Sequence, residues 1–179
     1  MGVCKVERKE ITNKNKMERE KIVIELCGGR MPEKAHDADA AYDVFTSEDY
    51  DVKDWGRHAV PLGFKIQLPK HLAALMQARS GMSLLGIPAV IEDFNGKSRE
   101  TRINADVELG LIDSQYTGVV SAIIKAFGLA ILVKRIYIPK GTKIAQMRIV
   151  EIPSTELVSG TIDKDTERGE GCFNSSGTK

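Results

Sequence analysis

Short runs of Val, Ile, Leu and aromatic residues, separated by Gly, Pro, Asp and Asn, recur along the chain from Lys21 onward. This pattern is typical of many short β-strands. It predicts strands over residues 21–27, 41–45, 58–68, 72–79, 87–91, 118–127, 131–138 and 143–152. So many strands must remove their edges by closing into a barrel or by packing as two sheets, as in a jelly roll. We therefore predict an all-β domain.

One predicted strand conflicts with local propensity. Residues 70–79 read KHLAALMQAR, and Leu, Ala, Met and Gln favour helix. The neighbouring segments are strands, and a two-residue alternation places Leu72, Ala74 and Met76 on one face. We therefore predict a strand here, followed by a helical turn over residues 80–86.

Three segments are too polar to belong to a packed core. Residues 1–20 are dense in charge and poor in apolar side chains, so we predict a flexible tail. Residues 93–106 contain Asn-Gly and predict an exposed loop or a hairpin extension between two strands. Residues 161–179 are predicted to be a flexible C-terminal arm. The single β domain is predicted over residues 21–160.

Composition excludes several classes of function. Lys and Arg number 26 against 25 Asp and Glu, and this balance lacks the basic face that long nucleic acid requires. The three cysteines fit neither a disulfide framework nor a zinc site. No apolar run reaches the roughly 18 to 20 residues of a membrane span. We therefore expect a cytoplasmic protein whose nucleotide ligands, if any, are small.

The tripeptide Arg79-Ser80-Gly81 lies at a predicted strand-to-turn junction. It combines a guanidinium fork, a hydroxyl group and a flexible backbone N–H, which suits phosphate binding. An exposed turn with a solvated arginine would have the same sequence. The tripeptide alone therefore leaves both interpretations open.

Residues 110–118, GLIDSQYTG, place Asp113 in a glycine-bounded turn with Tyr116 three residues later. A carboxylate there can act as a general base for water, and the aromatic ring can form a wall against a sugar or a base. The structural alternative is an Asp-Ser turn that caps its own backbone.

Residues 140–147, KGTKIAQM, enter a predicted strand in which Gln146 interrupts an apolar run. An inward-facing Gln146 needs a hydrogen-bond partner, because a buried unpaired amide costs on the order of 1 to 3 kcal/mol. It can equally face solvent.

Residues 168–177, RGEGCFNSSG, are rich in glycine and serine. Such a segment can fold over an anion, and Phe173 can cover the face of an apolar ring. The alternative is a disordered tail. The histidines His36, His58 and His71 show no ligand spacing, and we interpret them as structural or surface residues.

Taken in order, five segments resemble the five motifs of trimeric dUTPases. They are AAYDV at 40–44, ARSGM at 78–82, GLIDSQYTG at 110–118, KGTKIAQM at 140–147 and RGEGCFNSSG at 168–177. The resemblance covers residues 21–177. It implies a jelly-roll-like β-barrel subunit and a homotrimer. In that trimer each active site is built from several chains, and the C-terminal arm of one chain closes over a neighbour's site.

The resemblance also implies an activity, the Mg²⁺-dependent hydrolysis of dUTP to dUMP and pyrophosphate. Asp113 would deprotonate the attacking water and hold the 3'-hydroxyl group of the sugar. Tyr116 would pack against the deoxyribose and reject UTP, and the backbone around Leu111 and Ile112 would recognise uracil. Asp43 would contact the magnesium shell only indirectly, through water.

Further residues would bind the ends of the substrate. The resemblance implies that the phosphates contact Arg79, Ser80, Gly81 and Gln146, that Phe173 stacks on uracil, and that the far phosphates contact Arg168, Ser175 and Ser176. Magnesium would be bound mainly by the phosphates and water.

The chain departs from the family pattern at Ala41, Cys172 and Asn174, where glycine is usual. In the long 93–106 segment, Asn104 is the candidate asparagine for uracil recognition. Two other functions are compatible with the same fold, a dCTP deaminase or its bifunctional relative, and a nucleotide-gated regulatory binding protein. The deaminase motifs Arg-Ser-Ser and Ile-Asp-Pro-Gly-Trp are absent.

Overall fold

A computed structural model describes residues 20–52, 56–127 and 133–162. These residues form short β-strands and one short helix, which confirms the predicted all-β class. In chain order the elements are β1 Val23–Leu26, β2 Tyr42–Phe45, β3 Tyr50–Asp51, β4 Gly56–Pro61, β5 Phe64–Gln67, β6 Leu72–Gln77, α1 Ser80–Leu85, β7 Ile87–Glu92, β8 Ser98–Ile103, β9 Ala105–Val107, β10 Gly110–Ile112, β11 Ser121–Ala126, β12 Arg135–Ile138 and β13 Lys143–Glu151.

Alternation of apolar and polar side chains explains why these segments form strands. In β7 the side chains of Ile87, Ala89 and Ile91 are buried while their neighbours are half-buried. In β11 the same alternation buries Ala122 and Ile124. Successive side chains of a strand point to opposite faces, so this spacing gives each strand one face toward the core.

The described strands form four antiparallel sheets. Their strand orders are β1-β5, β10-β6-β13-β2, β4-β11-β9 and β3-β12-β7-β8. Most hydrogen-bonded neighbours are distant in sequence, as when β13 lies between β6 and β2. The inward faces enclose one core whose largest side chains include Phe64, Leu62, Ile87 and Ile124. Burial of each such side chain stabilises the fold by about 1.5–3 kcal/mol.

The strand predicted over residues 58–68 is two strands in the structure. β4 ends at Pro61 and β5 begins at Phe64, and Gly63 between them has a φ of +65°. A Cβ atom on Gly63 would lie 2.5 Å from the backbone nitrogen of Gly29. The close approach of the segments around Gly29 and Gly63 therefore requires glycine. The positive φ of Gly63 turns the chain where the apolar pattern alone predicted one continuous strand.

The strand predicted over residues 72–79 is confirmed as β6 from Leu72 to Gln77, and residues 78–79 lie between β6 and α1. Leu72, Ala74 and Met76 lie in the core, on the predicted face. Both of its long edges are paired, with β10 on one side and β13 on the other. The helical turn predicted after it is also confirmed, as α1.

The segment 93–106 forms the hairpin extension that was one of its two predicted conformations. β7 and β8 pair antiparallel from Ile87 opposite Ile103 to Glu92 opposite Ser98. Asp93 closes the tip, because its Oδ1 accepts the N–H groups of Asn95 and Lys97, each at 2.9 Å.

Other predicted boundaries shift. The strands predicted over 118–127 and 131–138 are observed as β11 and β12, and residues 131–132 lie outside the described residues. The short strands β3, β9 and β10 were not predicted. The predicted tail lies outside the described residues except at Glu20, and most of the predicted arm lies outside them too. No helix within the described part of the chain is long and apolar enough to cross a membrane.

Candidate active site

Three neighbouring strands bring polar residues of separate motifs into one row. Asp43 of β2 lies opposite Gln146 of β13, and Gln146 lies opposite Gln77 near the end of β6. Arg79 follows β6 in an extended conformation, with φ −83° and ψ 140°. Antiparallel pairing therefore gathers residues from the first, second and fourth motifs at one end of this sheet.

Asp43 connects two cations in this cluster. Its Oδ1 lies 2.8 Å from Nε of Arg79, and its Oδ2 lies 2.8 Å from Nζ of Lys143. The Asp43 side chain is only 14% exposed, whereas those of Arg79 and Lys143 are 35% and 37% exposed. The two cations therefore neutralise a largely buried carboxylate and keep part of their own surface open to solvent.

The half-buried side chain of Gln146 has a hydrogen-bond partner. Its Nε2 donates to the backbone carbonyl of Ala78 at 2.9 Å. An amide nitrogen carries two N–H donors, so one donor is left for a ligand. The contact also attaches β13 to the segment that carries Arg79.

Ser80 and Gly81 begin helix α1. The carbonyl of Arg79 accepts the N–H groups of Met82 and Ser83, at 2.9 and 3.0 Å. The first N–H groups of a helix have no partner within the helix, so those of Ser80 and Gly81 are available to an acceptor. An added Cβ at Gly81 would meet no atom within 4 Å, and the space beside this turn is open.

The third motif forms strand β10 and the turn that follows it. Leu111 and Ile112 pair with Leu75 and Ala74 of β6. Asp113 comes next and is exposed, and its carbonyl accepts the N–H of Tyr116 at 3.1 Å. The predicted glycine-bounded turn is therefore present, but its first three residues belong to a strand.

Tyr116 is held in place by its own hydroxyl group. The hydroxyl donates to the carbonyl of Val119 at 3.0 Å, and the side chain remains exposed. The ring lies against Gly118, where an added Cβ would be 2.5 Å from the hydroxyl oxygen. A groove of about 350 Å³ begins beside this ring and is lined by β1, β5, Ser114, Tyr116 and Thr117.

An ion pair lines the same groove. Lys65 Nζ lies 2.9 Å from Glu25 Oε1. The hydrogen bond from Lys65, reinforced by its charge, lowers the pKa of Glu25, and the reciprocal contact raises the pKa of Lys65. Both groups are therefore charged near neutral pH.

Asp113 of the third motif and Arg79 of the second motif lie far apart within one chain. β10 runs antiparallel to β6, and Ile112 pairs with Ala74, which places Asp113 beside the start of β6. Arg79 follows the other end. At about 3.3 Å per residue, five to six residues separate the two positions by roughly 15–20 Å.

A family model for dUTPases matches residues 28–177 of the chain. That range includes all five motif segments and most of the sequence.

The chain belongs to the dUTPase family.

Two relatives in this family come from clostridia. The deoxyuridine 5'-triphosphate nucleotidohydrolase of Clostridium kluyveri is 35% identical over 149 residues, covering 83% of this chain and 90% of that protein. The enzyme of the same name from Clostridium tetani is 33% identical over 158 residues, covering 88% and 95%. The chain therefore spans nearly the full length of these dUTPases.

Solved dUTPases share the fold. A mutant of the Staphylococcus bacteriophage 80alpha dUTPase, with dUpNHpp, matches with a TM-score of 0.70 and 24% identity, covering 89% of this chain and 99% of that one. A mutant of the dUTPase from phage phi11 of S. aureus, described with a structural Mg(II) ion, matches with a TM-score of 0.64 and 22% identity, covering 82% and 100%. This likeness confirms the predicted jelly-roll-like fold.

Several predicted dUTPase residues lie beyond the described part of the chain. Arg168, Phe173, Ser175 and Ser176 are all outside it, as are Cys172 and Asn174. The candidate Asn104 is exposed, and its backbone carbonyl accepts the N–H of Phe127 at 2.9 Å. Its role in uracil recognition stays a prediction.

The histidines do not form a metal site in the described residues, where no group of three or more His, Cys, Asp or Glu side chains could hold an ion. His58 is buried and packs edge-on against Tyr50, with ring centroids 6.0 Å apart. His36 and His71 are exposed. These positions agree with the structural and surface roles predicted for them.

Sequence reasoning did not select Lys143, Glu33 or Arg30. Lys143 contacts Asp43 and also lies 3.7 Å from Glu33, which pairs with Arg30 at 2.6 Å. One feature of the sequence could have indicated the role of Lys143. The consecutive apolar residues Ile144 and Ala145 break the alternation of β13 just after Lys143, where the pairing register shifts.

Proposed function

We propose that this protein hydrolyses dUTP to dUMP and pyrophosphate. The proposal rests on membership of the dUTPase family and on the close match to clostridial enzymes named for this activity. The observation that carries it is the exposed carboxylate of Asp113, which directly follows β10 and precedes the fixed ring of Tyr116. This arrangement supplies a base and a sugar-packing surface in one turn.

Asp113 is the general base of the reaction. It accepts a proton from water, and the water oxygen bonds to the α-phosphorus as the bond from that phosphorus to the bridging oxygen breaks. Pyrophosphate leaves, and dUMP remains. Tyr116 packs against the deoxyribose and excludes a 2'-hydroxyl group. β10 is an edge strand among the described strands, so the backbone at Leu111 and Ile112 is suited to hydrogen-bond the uracil edge.

Arg79, Ser80, Gly81 and Gln146 bind the phosphates. The guanidinium group supplies positive charge and several N–H donors, and the helix start supplies backbone N–H groups. The second N–H of the Gln146 amide can donate to a phosphate oxygen in the same way. The arginine offsets part of the phosphate charge and the neutral N–H donors stabilise the phosphate oxygens, so that a carboxylate-activated water can attack the polyanion.

The residues present fit a magnesium ion that is held by the substrate. Both carboxylate oxygens of Asp43 already contact cations, so Asp43 suits an indirect contact through water. When bound, Mg²⁺ neutralises phosphate charge and polarises the phosphoryl oxygens.

The complete site requires more than one chain. The separation of Asp113 from Arg79 supports sites in which one subunit supplies the base and another supplies the phosphate-binding cluster. Membership of the dUTPase family is what supports a homotrimer as the assembly. The C-terminal arm, through Arg168, Phe173, Ser175 and Ser176, closes over the neighbour's site. Closure of such a segment excludes bulk water and completes the catalytic set. We also propose that the protein is cytoplasmic.

The testing experiment compares the wild-type protein with Asp113→Asn. The wild type is incubated with dUTP, dCTP or UTP plus Mg²⁺, and pyrophosphate and ammonia are measured in parallel. We expect pyrophosphate from dUTP alone. We expect Asp113→Asn to lower kcat by about two to four orders of magnitude, as loss of a general base does, while dUpNHpp still binds.

Other outcomes identify the alternatives. Ammonia from dCTP would identify a deaminase, and binding without either product would identify a nucleotide-gated regulatory protein. Full turnover by Asp113→Asn would remove Asp113 as the base.

A further inference from the structure

Lys143 owes its orientation to an irregularity in β13. The pairing with β2 shifts between Lys143 and Ala145, so that Lys143 lies opposite Phe45 and Ala145 lies opposite Val44. The extra residue in β13 is Ile144. Residues directly opposite each other in a sheet point to the same side, and Phe45 points to the same side as Asp43 two residues earlier. The β-bulge therefore turns Lys143 toward Asp43, as bulges beside active sites do.

The loop after β1 supports Lys143 from the other side. Glu33 and Asp43 exchange two backbone hydrogen bonds, at 3.1 and 2.7 Å. This bridge holds the Glu33 carboxylate 3.7 Å from Lys143 Nζ, and Arg30 pairs with Glu33. The Arg30 guanidinium lies 4.1 Å above the Phe45 ring, which is 1% exposed. The lysine is therefore placed by several fixed neighbours.

The net charge of these contacting side chains determines how much positive charge Arg79 presents to a ligand. Arg30, Lys143 and Arg79 face Glu33 and Asp43, which leaves one net positive charge. Without Lys143 the net charge is zero, and Asp43 becomes paired with Arg79 alone. The Asp43 carboxylate would then compete with phosphate for the same guanidinium group.

We propose that Lys143 is a positioning residue for the phosphate-binding cluster. It neutralises Asp43, so that Asp43 can orient Arg79 through Nε while the charge of Arg79 remains available to the triphosphate. This inference rests on the proposed role of Arg79 in phosphate binding. It assigns Lys143 an effect that passes through Asp43 and Arg79.

The experiment is a double-mutant cycle in kcat/KM for dUTP, using the full chain with Mg²⁺. The variants are Lys143→Met, Arg79→Ala and the double variant, and Lys143→Arg tests rescue. The matched control is Lys134→Met, which breaks a comparable lysine–carboxylate pair, with Glu92, in a different sheet. Binding of dUpNHpp by calorimetry gives a second readout that does not depend on turnover.

We expect Lys143→Met to raise KM and weaken dUpNHpp binding by about tenfold, with a smaller change in kcat. The reason is that Asp43 then competes with the phosphate for Arg79, which weakens one charged contact to the substrate. Lys143→Arg should stay within about threefold of wild type, and Lys134→Met within about twofold. In the Arg79→Ala background, Lys143→Met should add little, because coupled residues are not additive. If Lys143→Met does not fold, Lys143→Gln, which keeps a donor without the charge, decides the question.

The contrary outcomes separate two failures. If Arg79→Ala loses activity while Lys143→Met retains wild-type KM and binding, the inference about Lys143 is wrong and the proposed function stands. Full additivity would mean that Lys143 acts independently of Arg79, and it would also overturn the inference. If Arg79→Ala itself keeps wild-type KM and binding, the phosphate-binding role proposed for Arg79 fails first.

Discussion

The position of the Tyr116 ring depends on residue 118 being a glycine. Its ring lies where a Cβ on Gly118 would be, 2.5 Å from the hydroxyl oxygen and 2.7 Å from Cζ. Real Cβ atoms do not approach other atoms so closely, and therefore any larger residue at position 118 must displace the ring. The hydroxyl bond to Val119 would be lost with it.

We therefore expect Gly118→Ala to lower kcat/KM for dUTP by about tenfold, because small displacements of a positioning group cost that much or more. Discrimination against UTP should fall as well, since the ring is the proposed barrier to the 2'-hydroxyl group. Steady-state kinetics with both nucleotides measure the two effects. Gly160→Ala is the control, because an added Cβ there meets no atom within 4 Å. Unchanged discrimination in Gly118→Ala would remove Tyr116 from sugar recognition.

At the residue scale, the sequence predicted which types of side chain form the candidate site better than it predicted which side chains contact each other. Asp113, Tyr116 and Arg79 were selected because a carboxylate, an aromatic ring and a guanidinium group each suit a step of the chemistry. Lys143 was not selected, because its role depends on a bulge and on a neighbour 100 residues away. Pairing register between distant strands cannot be obtained from the local pattern, so such a contact appears only in the folded chain.

β6 shows an element whose environment overrides its propensity. Its residues favour helix, yet pairing on both sides satisfies its backbone, and one face enters the core. The alternation of Leu72, Ala74 and Met76 predicted this outcome. The hairpin of β7 and β8 was predicted only as one of two conformations, since its polar residues match a loop equally well.

We expect Met76→Ala to reduce the free energy of unfolding by about 2–5 kcal/mol. Met76 is 2% exposed, and removal of its side chain leaves a cavity in the core beside β6. Urea unfolding at a fixed protein concentration measures the change. Phe94→Ala is the comparison, since Phe94 is 73% exposed at the hairpin tip and should shift stability by no more than about 0.5 kcal/mol. Equal effects of the two substitutions would contradict the assignment of β6 to the core.

At the scale of the whole molecule, Asp113 lies beside the start of β6 and Arg79 follows its other end, so the described fold does not bring these two residues together in one chain. Apolar patterning predicted the closed β architecture of the chain. It carries no information on which surfaces meet between subunits, and the trimer was expected only from the family resemblance. The register of β10 against β6 adds an independent physical argument for shared sites.

Shared sites predict complementation between inactive chains. Asp113→Asn and Arg79→Ala subunits, denatured together and refolded as a mixture, should regain activity at about a quarter of the sites, since random heterotrimers pair two intact residues with that frequency. Each variant refolded alone is the control. A mixture no more active than its components would place both residues of a site on the same chain.

The tip of the β7–β8 hairpin has a practical use. Asp93 closes it through hydrogen bonds to Asn95 and Lys97, and Phe94 and Gly96 face solvent. The hairpin belongs to a different sheet from Asp43 and Gln146, and exposed loop tips are where chains accept inserted segments. A fluorescent reporter or affinity peptide joined there would label the protein and leave the strands that carry the proposed chemistry in their native register.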